Sequence, residues 1–142
     1  MKRLFLLLLL ITSVSLTNAQ SISGNFSQLK NQNISLSAFD GFDAYVIDSV
    51  KTDDAGNFKI KFDVKEEGIG YLSSTSGKNF FVILADENIK LKGKTIAQSE
   101  SIQITKGDQN KAFNRYAKEQ PKREQVLNAW KYLNKTYKQD SL

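Results

Sequence analysis

The side chains of this 142-residue chain that could carry chemistry are carboxylates, hydroxyls, amides and amines, because it contains no cysteine and no histidine. That composition removes thiol nucleophiles, disulfides and Cx2C redox pairs. It also removes the usual ligands of zinc, copper and haem, and the imidazole of Ser-His-Asp and Cys-His sets. Among the acids, Asp40, Asp43 and Asp48 could hold a cation or share a proton. Asp40 and Asp43 flank a Gly-Phe turn, where Asp is favoured because it bonds to local backbone, so turn chemistry is the better reading. Asp53-Asp54-Ala55-Gly56-Asn57 superficially suggests calcium, yet it lacks the ligand spacing and closing Glu of an EF-hand loop. A hairpin turn with Gly56 at positive φ is expected instead. Glu66 and Glu67 are adjacent, and neighbours on a strand point to opposite faces, which argues against a joint role. A hydrolase using carboxylates alone needs two acids set across the scissile bond, and no pair stands out from turn chemistry. No catalytic, cofactor-binding or metal-ligating residue is therefore assigned. The chain is expected not to be an enzyme and to carry no cofactor.

The basic residues are unevenly placed. Over residues 20–105 there are nine Lys+Arg and eleven Asp+Glu, whereas residues 106–142 hold nine and four. A basic helical face could bind nucleic acid or anionic lipid. The aromatics that single-strand binding uses are not interleaved with the basic residues, so nucleic acid is not an expected partner and a solvated helix face is the simpler reading. Val126, Trp130, Leu133 and Tyr137 recur at four, three and four residues, one narrow apolar stripe on a helix. Lys131, Lys135 and Lys138 take the opposite face. In a complete domain Trp130, Leu133 and Tyr137 would pack on the sheet. Where the usual neighbour is missing, they become the candidates for contact with a partner.

These residues must be positioned by three segments. Residues 1–19 read as a secretory signal peptide: Met1-Lys2-Arg3, an unbroken apolar run over 4–11, then small residues up to a cleavage point after Ala19. The run is shorter than the roughly 20 residues a membrane span needs. A periplasmic or secreted product is expected, with no stable membrane insertion once the leader is cut. Residues 20–105 read as an antiparallel β domain. Phe58, Ile60, Phe62 and Val64 alternate with Lys59, Lys61, Asp63 and Lys65, the pattern of a half-buried strand. Similar patterns at 22–26, 34–37, 44–50, 69–74, 89–92 and 102–105 bring the count to about eight short strands with the apolar segment 80–84, and the class to a sandwich or barrel. Because 80–84 is apolar on both faces, it is expected to be a central strand covered on both sides. Residues 106–142 read as a helical extension of two helices. Asp108 is the expected cap of the first, and Pro121 the start of the second, where its missing N–H does no harm.

Along the chain come, in order, Ile22-Ser23-Gly24, Ile34-Ser35-Leu36, Ile47-Asp48-Ser49, Gly56-Asn57-Phe58-Lys59-Ile60, Tyr71-Leu72, the 80–84 strand, Ile89-Lys90-Leu91-Lys92-Gly93 and Gly107-Asp108-Gln109-Asn110. That order of segments resembles a domain of unknown function from periplasmic proteins of Bacteroidota-type bacteria. In such relatives this β-sandwich-like domain stands N-terminal to a thioredoxin-like domain of the TlpA/ResA class. The resemblance implies an accessory or protein-interaction module whose partner is a thioredoxin-like domain or another envelope protein. It implies an alternative too: the N-terminal fragment of a periplasmic thiol-disulfide oxidoreductase without its Cx2C domain. The redox residues of such relatives have no counterpart among these 142 residues.

Overall fold

The computed structural model describes residues 19–139; all but the last residue of the expected leader lies outside them. The chain forms eight strands and one helix: β1 (Gln20–Phe26), β2 (Asn33–Asp40), β3 (Asp43–Lys51), β4 (Asn57–Phe62), β5 (Gly68–Ser74), β6 (Asn79–Leu84), β7 (Ile89–Gly93), β8 (Gln103–Lys106) and α1 (Asp108–Gln139). The strands make two four-stranded sheets, ordered β4-β1-β7-β8 and β3-β2-β5-β6. The expected mainly-β sandwich is what the sequence builds.

Alternation decides what lies between the sheets. Ile22, Ile60, Ile89 and Leu91 from the first sheet face Ile34, Leu36, Leu72, Val82 and Leu84 from the second, all buried. Phe26 and Phe58 stack at 5.3 Å between ring centroids. Burying each such side chain contributes about 1.5–3 kcal/mol, enough to hold the two layers together without disulfides. Leu29, Ile96 and Ile102, from the connections, complete this core.

The turns follow the Gly and Asp signals. Gly41 takes φ +62° in the two-residue loop joining β2 to β3, as a tight hairpin demands. Gly56 has φ +83°, the expected sign. Its turn, however, does not fold β3 back on β4. It carries the chain from one sheet to the other, where β4 pairs with β1.

Four further expectations are corrected. The sheets are not wholly antiparallel, since β1 runs parallel to β7, Ile22 opposite Ile89. Side-chain alternation has period two in either direction and carries no sign of it. The strand expected over 57–65 ends at Phe62, because Asp63 turns the chain, its carbonyl accepting from Glu66 N–H at 3.0 Å and its side chain from Lys65 N–H at 3.3 Å. The 80–84 segment lies in an edge strand, not a central one; the apolar residues of its outer face make a surface patch. Finally, there is one helix where two were expected. Pro121 sits inside α1 and removes one backbone bond. Pairs that straddle it, Arg123 to Glu119 at 3.0 Å and Gln120 to Glu124 at 3.3 Å, hold the two sides in register.

Candidate interaction surfaces

Helix α1 is hydrogen-bonded to the sandwich through its first turn. Gly107 has φ +112°, and a Cβ there would stand 3.2 Å from a carboxylate oxygen of Glu87. That space lets Glu87 reach the helix start and accept from the N–H groups of Asp108 (2.8 Å) and Asn110 (3.4 Å). The cap is therefore Glu87 from the β6–β7 turn, and not Asp108, whose carboxylate pairs with Lys111 at 3.5 Å. A carboxylate at this end also suits the positive end of the helix dipole. Asn110 is 1% exposed. Its Oδ1 accepts from Ile83 N–H at 2.8 Å, while its Nδ2 donates to the Ile83 carbonyl at 2.8 Å and to Glu87 at 3.1 Å. One side chain thus does at the free edge of β6 what a neighbouring strand would do.

Beyond Phe113 and Asn114, which are half-buried, the helix is exposed as far as Lys135, apart from the half-buried Gln120. Trp130 is 66% and Leu133 47% exposed, and Val126 and Leu127 stand in solvent beside them. Trp130 and Leu133 do not pack on the sheet. The structure sets them on one helix with Val126, as the spacing requires. The side chain of Tyr137, third of the residues singled out by sequence, lies outside the described residues. Val126 and Leu127 form the floor of a shallow apolar hollow, walled by Lys122 and Arg123. No described helix is long and apolar enough to cross a membrane.

A second apolar surface was not anticipated. On the outer face of the β3-β2-β5-β6 sheet, Phe39, Tyr71 and Phe81 stand side by side on three adjacent strands. Their ring centroids are 5.5 Å and 6.0 Å apart in succession. Ile69 is exposed next to Phe81, itself 48% exposed. The patch opens into a groove of about 690 Å³ with Asp40, Lys65, Glu66 and Glu67 among its lining residues. The sequence signal was the doubly apolar β6 together with Phe39 and Tyr71 at the outward phase of their strands. It was legible as a strand, yet not as a surface.

The acids behave mainly as turn chemistry. Asp53 accepts from Ala55 N–H (2.9 Å), Asn57 N–H (2.8 Å) and the Asn57 amide (2.9 Å). Bonds from Asn57 first, and from the backbone of Ala55 and Gly56 after, hold its carboxyl below the ordinary value of 3.8. Asp48 bonds to the adjacent Ser49 N–H at 2.7 Å. Glu66 and Glu67 lie in and just after a 3-10 turn, not on a strand, so both reach the groove. The Tyr45 hydroxyl donates to Glu66, and that bond raises the Tyr45 pKa above 10.0. Among the described residues no three acids, His or Cys stand close enough to hold a metal ion. What the geometry supplies is contact area with acidic and basic borders, suited to docking.

A profile of the family described as a domain of unknown function (DUF4369) matches residues 20–113. The match takes in all eight strands and the anchored first turns of α1, and stops short of the exposed stripe. No curated protein matches. Among solved structures, a 9R-lipoxygenase from Cyanothece PCC8801 is similar over 54% of this chain at 14% identity and a TM-score of 0.34. This chain spans 16% of the lipoxygenase, and so loose a likeness carries no argument.

Proposed function

The chain belongs to the DUF4369 family of domains of unknown function, and from that premise we propose that it is an exported, non-catalytic β-domain that docks a protein of the cell envelope through α1. The single observation behind this reading is the apolar stripe of Val126, Trp130 and Leu133, which stands in solvent on a helix anchored at its start. Exposed apolar stripes of this kind mark interaction sites, and a tryptophan at the centre is the usual anchor. The basic start, apolar run and small residues before Gln20 support export. The lack of cysteine and histidine supports a binding role. On the resemblance to domains that precede TlpA/ResA-class modules, the first partner to try is a thioredoxin-like domain.

The chain has one tryptophan, which makes the test direct. Residues 20–142 carrying fluorotryptophan at position 130 would be titrated with a thioredoxin-like domain from the same cell and followed by fluorine NMR. Saturable movement of the single resonance is expected. In Trp130→Ala/Leu133→Ala, binding followed by calorimetry weakens about tenfold or more. An unmoved resonance, or a double variant that binds equally well, would sink the reading. Reading the DNA downstream distinguishes a free module from a separated half. A Trp-Cys-x-x-Cys stretch there makes the partner the rest of one oxidoreductase.

A further inference from the structure

The sandwich is electrically two-sided. The four strands of the β4-β1-β7-β8 sheet contain five lysines, Lys59, Lys61, Lys90, Lys92 and Lys106, and no Asp or Glu. The strands of the other sheet contain Asp40, Asp43 and Asp48 against one lysine, Lys51. Net charge does not explain the segregation, because acids outnumber bases over residues 20–105.

Pairing puts the five lysines on one face. Phe58, Ile60, Ile89 and Leu91 point into the core, so the lysines that alternate with them point out. In register, Lys59 lies beside Ser23, Ser23 beside Lys90, and Lys90 beside Lys106, one basic row across four strands. Lys61 lies one step along, beside Ser21. None of the five ammonium groups holds an ion pair among the described residues. Like charges directly opposite, as at Lys90 and Lys106, cost stability, and no ion pair among the described residues offsets that cost.

We propose that this lysine face is a docking surface for an anionic membrane surface, held by lipid phosphates. Three features favour that occupant. Lysine offers point charges on flexible stems, without the planar fork that fixes one ligand in one orientation. The face carries no aromatic ring and forms only a shallow concavity of about 340 Å³, lined by lysines, Ser21, Ser23 and Asn88. Such a surface suits a mobile array of phosphates. Ala19 lines the same concavity, so this face is where the expected leader, with its apolar run at residues 4–11, joins the fold. Seven residues separate that run from Ala19, a reach of about 25 Å when extended. Until the expected cleavage after Ala19, the lysine face is thereby tethered within that reach of the apolar run. The contact is peripheral, and it leaves the helix stripe free for a protein.

The test is co-sedimentation of residues 20–142, which contain every strand and the helix, with vesicles of phosphatidylglycerol and phosphatidylethanolamine or of phosphatidylcholine alone. Binding to the anionic vesicles only, weakened by added salt, is expected. Lys59→Gln/Lys61→Gln/Lys90→Gln should weaken it about a hundredfold, a factor of about five for each lysine. Lys122→Gln/Lys131→Gln/Lys135→Gln changes net charge equally on the helix and should leave most of the binding. Equal loss in both variants, or no vesicle binding by the parent, overturns the proposal. So does lysine-dependent binding to soluble polyphosphate without binding to vesicles. If the sheet variant does not fold, lysine acetylation of the unaltered protein gives the answer. Vesicles should shield Lys59, Lys61 and Lys90 and leave Lys131 and Lys135 reactive; the reverse pattern refutes the assignment.

Discussion

Replacing Asn110 by leucine should loosen the joint between sandwich and helix by an amount that can be worked out. The side chain makes two bonds to the Ile83 backbone and one to Glu87. Removing it leaves the Ile83 N–H and carbonyl without partners at a half-buried site. An orphaned polar group costs about 1–3 kcal/mol; with water reaching part of the strand edge, about 1 kcal/mol for each of the three bonds is the fitting value. The expected loss is about 3 kcal/mol. With an unfolding entropy near 2.1 cal/mol/K per residue over roughly 120 residues, the melting point falls by about 12 °C. Circular dichroism during heating and in urea measures both quantities. Amide exchange at Ile83 should accelerate at the same time, because its donor is freed. Asn110→Asp keeps the acceptor and sets a second carboxylate against Glu87. It should be more damaging at neutral pH than in mild acid, where the new carboxyl is protonated. A loss under about 1 kcal/mol in Asn110→Leu, with Ile83 still protected from exchange, would refute the claim that this side chain closes the sheet edge.

Four further outcomes are expected. Gly56→Ala should cost well over the ~1–2 kcal/mol of a left-handed non-glycine residue, because its Cβ would meet the Phe26 carbonyl oxygen at 2.2 Å. Gly41→Ala, with nothing within 4 Å, should cost only that backbone term, as urea midpoints will show. Asp53 has a lowered folded pKa, so its contribution is present above 3.8 and is lost as pH falls through the folded value. Asp53→Asn should therefore show a smaller drop in melting point between neutral pH and acid than the parent does. Tyr45 has a raised folded pKa; one of the five tyrosines should ionise late in an absorbance titration, and Tyr45→Phe should abolish that lag.

The residues that alternate cleanly were also those whose structure could be read in advance. Phe58, Ile60 and Phe62 are buried as their spacing requires, and Gly41 and Gly56 turn the chain at positive φ. Alternation is a local signal, and it says which side chains point the same way. It does not say which strand lies next door, so the parallel β1–β7 pair and the edge position of β6 were hidden. Asn110 shows the same limit. Its sequence neighbours mark a helix start, yet its role depends on Ile83 and Glu87, both more than 20 residues away. The helix stripe was legible because its spacing lies within one element. The Phe39-Tyr71-Phe81 patch was not, because its three residues come from three strands.

The central place of β1 governs the order in which this molecule can assemble. The first strand has β4 on one side and β7 on the other, so its sheet stays incomplete until residues 89–93 are available. Contacts between distant segments form slowly, because the loop between them must close first. A chain emerging from its N-terminus therefore holds β1 half-paired while most of the polypeptide is still to come. On the proposed export in extended form, that delay would keep the leading segment pliable until the strands that lock it have followed.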